Sequence, residues 1–317
     1  MAIKDHFFAD AYINASSDGM LKVSGQGLIR MPDDATNEAR GLARDLGKEY
    51  SGKYRERQIT EFAVKHDEVV YRVAVMELDD KSLWFVLRRQ EHAIRKLHEI
   101  GFPESAQQRL IQLGQQSGLL VLSGATGSGK TTTACALGIK YLETYGDVLL
   151  TIESPCELPM YGPHGYGYCF PTECREDEFH KALAKALRMH PRYILLGEIR
   201  YPNAAQQALR AALSGHLVIT TIHGGDPIQA LQSLLQYAGG EDPDHTAGLL
   251  ANGFLGIIHQ DLIGSPARMT AEFLLAVDED RTQIQNLIRT RKMEQLKTMM
   301  MKQATLFGLR TMGAFRA

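Results

Sequence analysis

Eight consecutive residues, Gly124-Ala125-Thr126-Gly127-Ser128-Gly129-Lys130-Thr131, have the types and spacing that phosphate chemistry requires. They fit G-x-x-x-x-G-K-S/T, the phosphate-cradling P-loop. The glycines let backbone N–H groups turn inward and approach phosphate oxygens with no Cβ in the way. Lys130 is a point charge able to reach the β- and γ-phosphates, and the Thr131 hydroxyl suits a Mg²⁺ ion. Two carboxylates follow short apolar runs: Val148 to Ile152 ends in Glu153, and Tyr193 to Leu196 leads through Gly197 to Glu198. A carboxylate delivered by the end of a buried strand can hold Mg²⁺ or orient an attacking water. The stretch Ser214 to Gly225 places His216 and His223 at the two ends of a third apolar run. Histidines flanking a strand are more often hydrogen-bonded structure than catalysts, so spacing alone gives His223 no role.

These groups act together only if a sheet aligns them. Leu119 to Ser123 reads as a buried strand, and the helix opening at Thr131 points its dipole at bound phosphate. Further strands are expected at Val148 to Ile152, Tyr193 to Leu196 and His216 to Thr221. Helices are expected at about Thr131 to Thr144, Asp177 to Met189 and Asn203 to Leu213. That alternation predicts an α/β sheet with crossover helices, whose ligands bind outside the carboxyl ends of the strands.

Upstream of Ile100 there is no nucleotide motif. Helical spacing over Asn37 to Leu46 precedes two strand-like runs, Glu68 to Val75 and Ser82 to Leu87, with a turn at Leu78-Asp79-Asp80-Lys81. This predicts a small α+β domain with an antiparallel hairpin. Gly101-Phe102-Pro103-Glu104 breaks the chain, which divides the sequence into domains 1–102 and 103–317. Near the C-terminus, a strand-like run from Met269 to Val277 precedes two helical stretches. The Met- and Lys-rich stretch Lys292 to Lys302 reads first as a packed amphipathic helix, with a partner-binding helix as the alternative.

The bulk numbers narrow the class. A chain of 317 residues suits two domains or one large one with an appendage, and 44% hydrophobic with 23% charged content is that of an ordinary globular protein. A net charge of −2 gives no electrostatic case for nucleic acid as the main ligand. No signal-peptide layout opens the chain, and no apolar run has the length of a transmembrane segment. The cysteines, Cys135, Cys156, Cys169 and Cys174, form no C-x-x-C pair, which suits a reduced cytosolic compartment. Cys169 and Cys174, with His164 and His180, fit no standard zinc spacing and read as free thiols in or near a loop.

Taken together, the motifs resemble those of the secretion and pilus motor ATPases, the PilT-like branch of the type II/type IV secretion superfamily. Four signatures appear in the family's order. Gly124 to Thr132 matches the P-loop signature, and Thr151-Ile152-Glu153-Ser154-Pro155 matches the acidic box. Leu187 to Arg200 matches the second nucleotide motif, and Gly215 to His223 matches the histidine box. Tyr71-Arg72-Val73 and Leu87-Arg88 resemble two N-terminal strands of the family, and Ile284 to Arg289 resembles a helix of the pilus-retraction motors. Several departures point elsewhere in the family. Ser154 stands where a second acid is usual, Tyr201 follows Arg200 in place of Asp, and Cys169 to Glu173 replaces a Q-x-E-x-G loop. These bring the chain nearer the DotB/TraJ-type ATPases of type IVB secretion and IncI conjugation.

The resemblance implies a RecA-like P-loop ATPase core with an N-terminal PAS-like α+β domain, assembled as a homohexamer with nucleotide held between the domains. It implies ATP and Mg²⁺ as cofactors. Residues 124–132 would hold the phosphates: Gly124, Ala125, Thr126, Gly127, Ser128, Gly129, Lys130, Thr131 and Thr132. Thr131 and Glu198 would hold the metal. Glu153 would be the catalytic carboxylate, His223 the γ-phosphate sensor, and Arg72 and Arg88 arginine fingers. The implied partners are membrane-embedded secretion or pilus proteins, with no direct nucleic acid. The implied location is cytoplasmic, peripheral to the inner membrane when docked. The alternative within the family is a type IV pilus retraction ATPase.

Overall fold

The computed structural model describes residues 2–23, 26–56, 58–89, 93–239, 242–263 and 268–306. The chain divides into two compact units. One comprises Met1–Ala93 with Ser154–Pro159, and the other comprises Ile94–Glu153 with Met160–Ala317. The expected span of the second domain also takes in 307–317, which lie outside the described residues.

The N-terminal unit is an antiparallel sheet with one long helix against it. Its elements are β1 (Asp10–Asn14), β2 (Met20–Val23), β3 (Gly27–Arg30), α1 (Asp33–Glu49), β4 (Glu61–His66), β5 (Val69–Glu77) and β6 (Leu83–Arg89). The strands lie in the order β3-β2-β1-β6-β5-β4, a PAS-like α+β arrangement. Helix α1 buries Ala35, Ala39, Leu42, Ala43 and Leu46, one apolar stripe at helical spacing, in a core with Ile13, Phe62, Tyr71, Phe85 and Leu87. The predicted hairpin is β5–β6, with Leu78 N–H donating to the Ser82 carbonyl. Strands β1 to β4 are short or interrupted and were not read from the sequence.

The second unit is a mixed sheet with helices on both faces. In chain order it comprises α2 (Glu104–Gln112), β7 (Gly118–Gly124), α3 (Lys130–Tyr145), β8 (Asp147–Glu153), β9 (Gly162–His164), β10 (Gly167–Glu173), α4 (Phe179–Ala186) and β11 (Tyr193–Glu198). It continues with α5 (Pro202–Leu213), β12 (Leu217–His223), α6 (Pro227–Ala238), α7 (Pro243–Gly253), β13 (Phe254–Ile263), β14 (Arg268–Leu275), α8 (Asp280–Arg289) and α9 (Leu296–Leu306). The strand order is β14-β13-β7-β12-β11-β8-β10-β9. Its middle six strands run parallel, and β14 and β9 are antiparallel caps at the two edges. This is a RecA-like core: β12 is inserted between the P-loop strand β7 and the acid-bearing strand β11. Every residue of β7 is buried, as a central strand covered on both faces must be.

Helix α3 packs along β7, β8, β11 and β12. The opposite face carries α4 to α8, whose Phe179, Leu183, Ala208, Leu209, Leu231, Leu234, Leu250 and Ile284 share one core with the sheet. Helix α9 covers β14, burying Leu296, Met299 and Met300, while the Gln303 amide pairs with both backbone groups of Leu275. It is the packed helix expected from the sequence.

Three strands of this unit were missed, and the first, β9, is only three residues long. Strand β10 carries Pro171, which normally argues against a strand. The proline is tolerated because β9 pairs only with Gly167 to Cys169, leaving the far edge open beside Pro171. Cys169 is therefore buried inside a strand, not in a loop as expected. None of the four cysteines is in a disulfide. Burial, helped by Glu153, pushes the Cys169 thiol up to about 12, and burial pushes Cys174 up to about 11. Strand β13 is the third miss, and it bears directly on the site. Among the described residues, no helix is long and apolar enough to cross a membrane.

Candidate nucleotide site

The parallel register collects the predicted groups along one edge of the sheet. His223 pairs with Gly124 across β12 and β7, and Glu198 pairs with Thr221 across β11 and β12. Leu196 pairs with Ile152, so Glu153 at the end of β8 shares that edge. His216 pairs with none of them: it lies at the opposite, amino end of β12, its Nδ1 2.6 Å from the Pro191 carbonyl. Of the two histidines, only His223 stands with the P-loop.

The loop from Gly124 to Lys130 turns directly from strand into helix. Gly127 and Gly129 have φ of 80° and 87°, and Gly129 caps α3 in the left-handed region. These values favour glycine because a Cβ would crowd the backbone. Gly124 is also held by space, since a Cβ there would sit 2.2 Å from the Gln260 carbonyl oxygen. Ala125, Thr126 and Gly127 form an exposed rim, while Ser128 and Lys130 are buried and Thr131 and Thr132 are half-buried. Lys130 Nζ donates to the carbonyls of Gly124 at 3.0 Å and Ala125 at 2.8 Å. The Ser128 and Thr133 hydroxyls are buried without a hydrogen-bond partner. An unmet buried polar group costs about 1–3 kcal/mol, so the cup has unspent bonding capacity.

Glu198 sits just after a β-bulge: Leu196 pairs with Thr220 and Glu198 with Thr221, leaving Gly197 extra. Bulges re-aim side chains, and this one turns a strand-end carboxylate toward His223 and Arg200. His223 Nε2 is 3.0 Å from one Glu198 oxygen, and Arg200 Nη2 donates to the other at 2.8 Å. Because the partner is a carboxylate, Nε2 carries the proton. Arg200 also reaches Glu176 at 3.0 Å. Glu153 is 3% exposed, and its Oε1 accepts from the Thr151 hydroxyl at 2.6 Å. Oxygen donors on Thr131 and Glu198 are the type Mg²⁺ selects.

Arg72 and Arg88 are cross-strand partners in the β5–β6 hairpin of the N-terminal unit. Two cations directly opposite repel, and surrounding acids offset this. Arg72 pairs with Glu61 and with Glu157 at 3.0 Å, and Arg88 Nε donates to Asp10 Oδ1 at 2.9 Å. The Asp10 bond holds the Arg88 guanidinium above its ordinary value. Asp10 is 5% exposed, so Arg88→Ala leaves a buried carboxylate without its cation. We expect a loss of about 1–2 kcal/mol in urea unfolding, largely recovered in Arg88→Ala/Asp10→Asn. Equal midpoints for parent and single variant would show the pair to be energetically idle.

Sequence reading missed two side chains on β13. Buried His259 has Nδ1 2.9 Å from the hydroxyl of Ser123, the residue before the P-loop. Gln260, 1% exposed, donates from Nε2 to the Ser128 carbonyl at 2.6 Å. Their signal was three polar residues, His259-Gln260-Asp261, inside an otherwise apolar run, Phe254 to Ile263. Burial lowers the His259 imidazole below its ordinary value, assisted by Lys130 and opposed by Asp261 and Asp226. The unfolded chain therefore binds a proton that the native state refuses. The resulting stability is complete above the unfolded value of about 6.5 and is lost as pH falls through the lower folded value. Between pH 7.5 and 5.5 the urea midpoint should drop further in the parent than in His259→Gln. Parallel curves would remove His259 from the account.

The cysteine–histidine group considered from sequence does not assemble. Among the described residues, the one grouping of three ligand atoms within 4.8 Å is Glu38, His66 and Asp67 in the N-terminal unit.

Comparison with known proteins agrees with this architecture. The profile of the family described as "Type II/IV secretion system protein" matches residues 56–305. The type IV pilus ATPase PilU of Pseudomonas aeruginosa is 27% identical over 317 residues, covering 96% of this chain and 79% of PilU. The crystal structure of the pilus retraction motor PilT with bound ADP superposes with a TM-score of 0.76 at 26% identity, over 98% of this chain and 92% of that one. The ATPase DotB of Legionella pneumophila superposes with a TM-score of 0.74 at 21% identity, over 98% and 90% of the two chains.

Proposed function

The chain belongs to the type II/IV secretion system protein family and is a P-loop ATPase, and from that premise we propose that it is the hexameric motor of a type IVB secretion or conjugation machine. The observation that carries the motor reading is the carboxyl edge of the sheet, where a buried P-loop lysine, two strand-end carboxylates and a histidine share one register. Residues 124–132 would cradle ATP, and Thr131 and Glu198 would hold Mg²⁺. That ion, when bound, neutralises phosphate charge as the γ-phosphoryl leaves. Glu198 and Glu153 orient water, His223 reports on the γ-phosphate through Glu198, and Arg72 and Arg88 serve as fingers after exchanging their acidic partners for phosphate. Hydrolysis around a ring of six would do mechanical work on membrane-embedded machine proteins from the cytoplasmic side.

Ser154, Tyr201 and the Cys169 to Glu173 segment favour the type IVB assignment within the family. A pilus retraction motor is the second reading, favoured by the match to PilU along 96% of this chain and by α8. The test is affinity capture from native cells with Glu198→Gln, which should linger with ATP bound. Recovery of secretion or conjugation proteins supports the first reading. Recovery of pilus platform proteins overturns it in favour of the second.

A further inference from the structure

We propose that Gln260 is a positioning residue of the nucleotide site: from strand β13 its amide aims the Gly129 N–H into the phosphate cup. The proposal rests on reading residues 124–131 as the site. Gln260 Nε2 donates to the Ser128 carbonyl at 2.6 Å, and the side chain is 1% exposed. The partner is a carbonyl, which only accepts, so the amide orientation is fixed with Nε2 toward the loop. The Ser128–Gly129 peptide is a rigid plane whose C=O and N–H point in opposite directions. Pinning the C=O on Gln260 therefore turns the Gly129 N–H the other way, away from β13.

Four further features make this a support for the loop and not merely a tie between strands. The backbone of the same residue limits Gly124, the first loop glycine, because a Cβ there would meet the Gln260 carbonyl oxygen at 2.2 Å. A Cβ on Gly129 would likewise lie 3.1 Å from Gln260 Nε2, so the side chain is packed against the point where loop becomes helix. Next door, His259 meets the Ser123 hydroxyl at 2.9 Å, so successive residues of β13 grip both ends of the loop. Finally, Gln260 Oε1 is buried with no partner, as is the Ser128 hydroxyl. A glutamine serving the core alone looks different. Gln303, 2% exposed, has its Oε1 satisfied by Leu275 and its Nε2 by Leu275 and Asp280. Gln260 keeps its bond to the loop at the expense of its own oxygen.

The test compares Gln260→Met, which keeps the volume and removes the donor, with Gln303→Met as a structural control. Thermal unfolding is followed against MgADP, and steady-state hydrolysis is resolved into kcat and KM. For Gln260→Met the ADP concentration giving half the maximal stabilisation, and KM for ATP, should rise about tenfold, with kcat changing less than threefold. Gln303→Met should melt earlier than the parent with its ADP response unchanged. Should Gln260→Met fail to fold, Gln260→Leu, apolar and without a donor, carries the same expectation. An ADP response and KM within twofold of the parent in the folded variant would overturn the proposal. If the parent itself shows no ADP response, the site reading fails first.

Discussion

Lys130→Ala should lower steady-state ATP hydrolysis about a thousandfold while leaving the fold intact. The ammonium is buried and lies 2.8–3.0 Å from the carbonyls of Ala125 and Gly124 in the loop. A cation placed there before substrate arrives costs no reorganisation when charge develops on the transferred phosphoryl group, and preorganised groups of this kind are worth about 10²–10³ in rate each. Alanine removes the charge and also leaves the two carbonyls without their donor, so binding of nucleotide weakens along with turnover. Circular dichroism and the unfolding midpoint establish that the variant is folded, and a malachite-green assay reads phosphate release. Parent-like hydrolysis by the folded variant would remove the P-loop from the mechanism.

Glu198→Gln should separate binding from turnover. Glu198 does not lie in the P-loop, and both of its oxygens are used by His223 and Arg200. Glutamine keeps the size and one acceptor but loses the charge that Mg²⁺ and an attacking water require. We expect kcat to fall about a hundredfold, with the dissociation constant for a fluorescent ADP analogue within about threefold of the parent. Glu153→Gln is the informative companion because Glu153 shares the sheet edge and is more deeply buried. Full turnover in Glu198→Gln with loss in Glu153→Gln would transfer the water-orienting role to Glu153.

The parts of this site legible from sequence were the local ones. A P-loop between an apolar strand and a helix is complete within about fifteen residues, and Glu153 and Glu198 announce themselves by closing apolar runs. The parallel order that sets these runs side by side follows from the strand–helix alternation. What escaped was held together across the chain. Gln260 acts on Ser128 from 132 positions away, and within β13 a buried polar pair breaks the apolar pattern that would have marked the strand. Strand β10 escaped because Gly167 and Pro171 read as loop residues until the half-open edge beside them is known. The bulge at Gly197 was equally invisible, since it exists only in the pairing of β11 with β12. In the N-terminal unit, Arg72 and Arg88 were legible as arginines, but their opposition across the hairpin and their acidic partners were not.

The cysteines also make the protein convenient for optical study. Maleimides react with thiolates, and at pH 7.5 a thiol near 12 is ionised in only about one molecule in thirty thousand. Cys169 and Cys135 are sealed in the core, and Cys174 near 11 is scarcely more reactive. Half-buried Cys156 and Cys174 are the native positions that need checking, and serine at both would leave an almost silent background. A single cysteine installed at Tyr166, 88% exposed on the β9–β10 turn, would then take a dye cleanly, opening the protein to single-molecule fluorescence without rebuilding its interior.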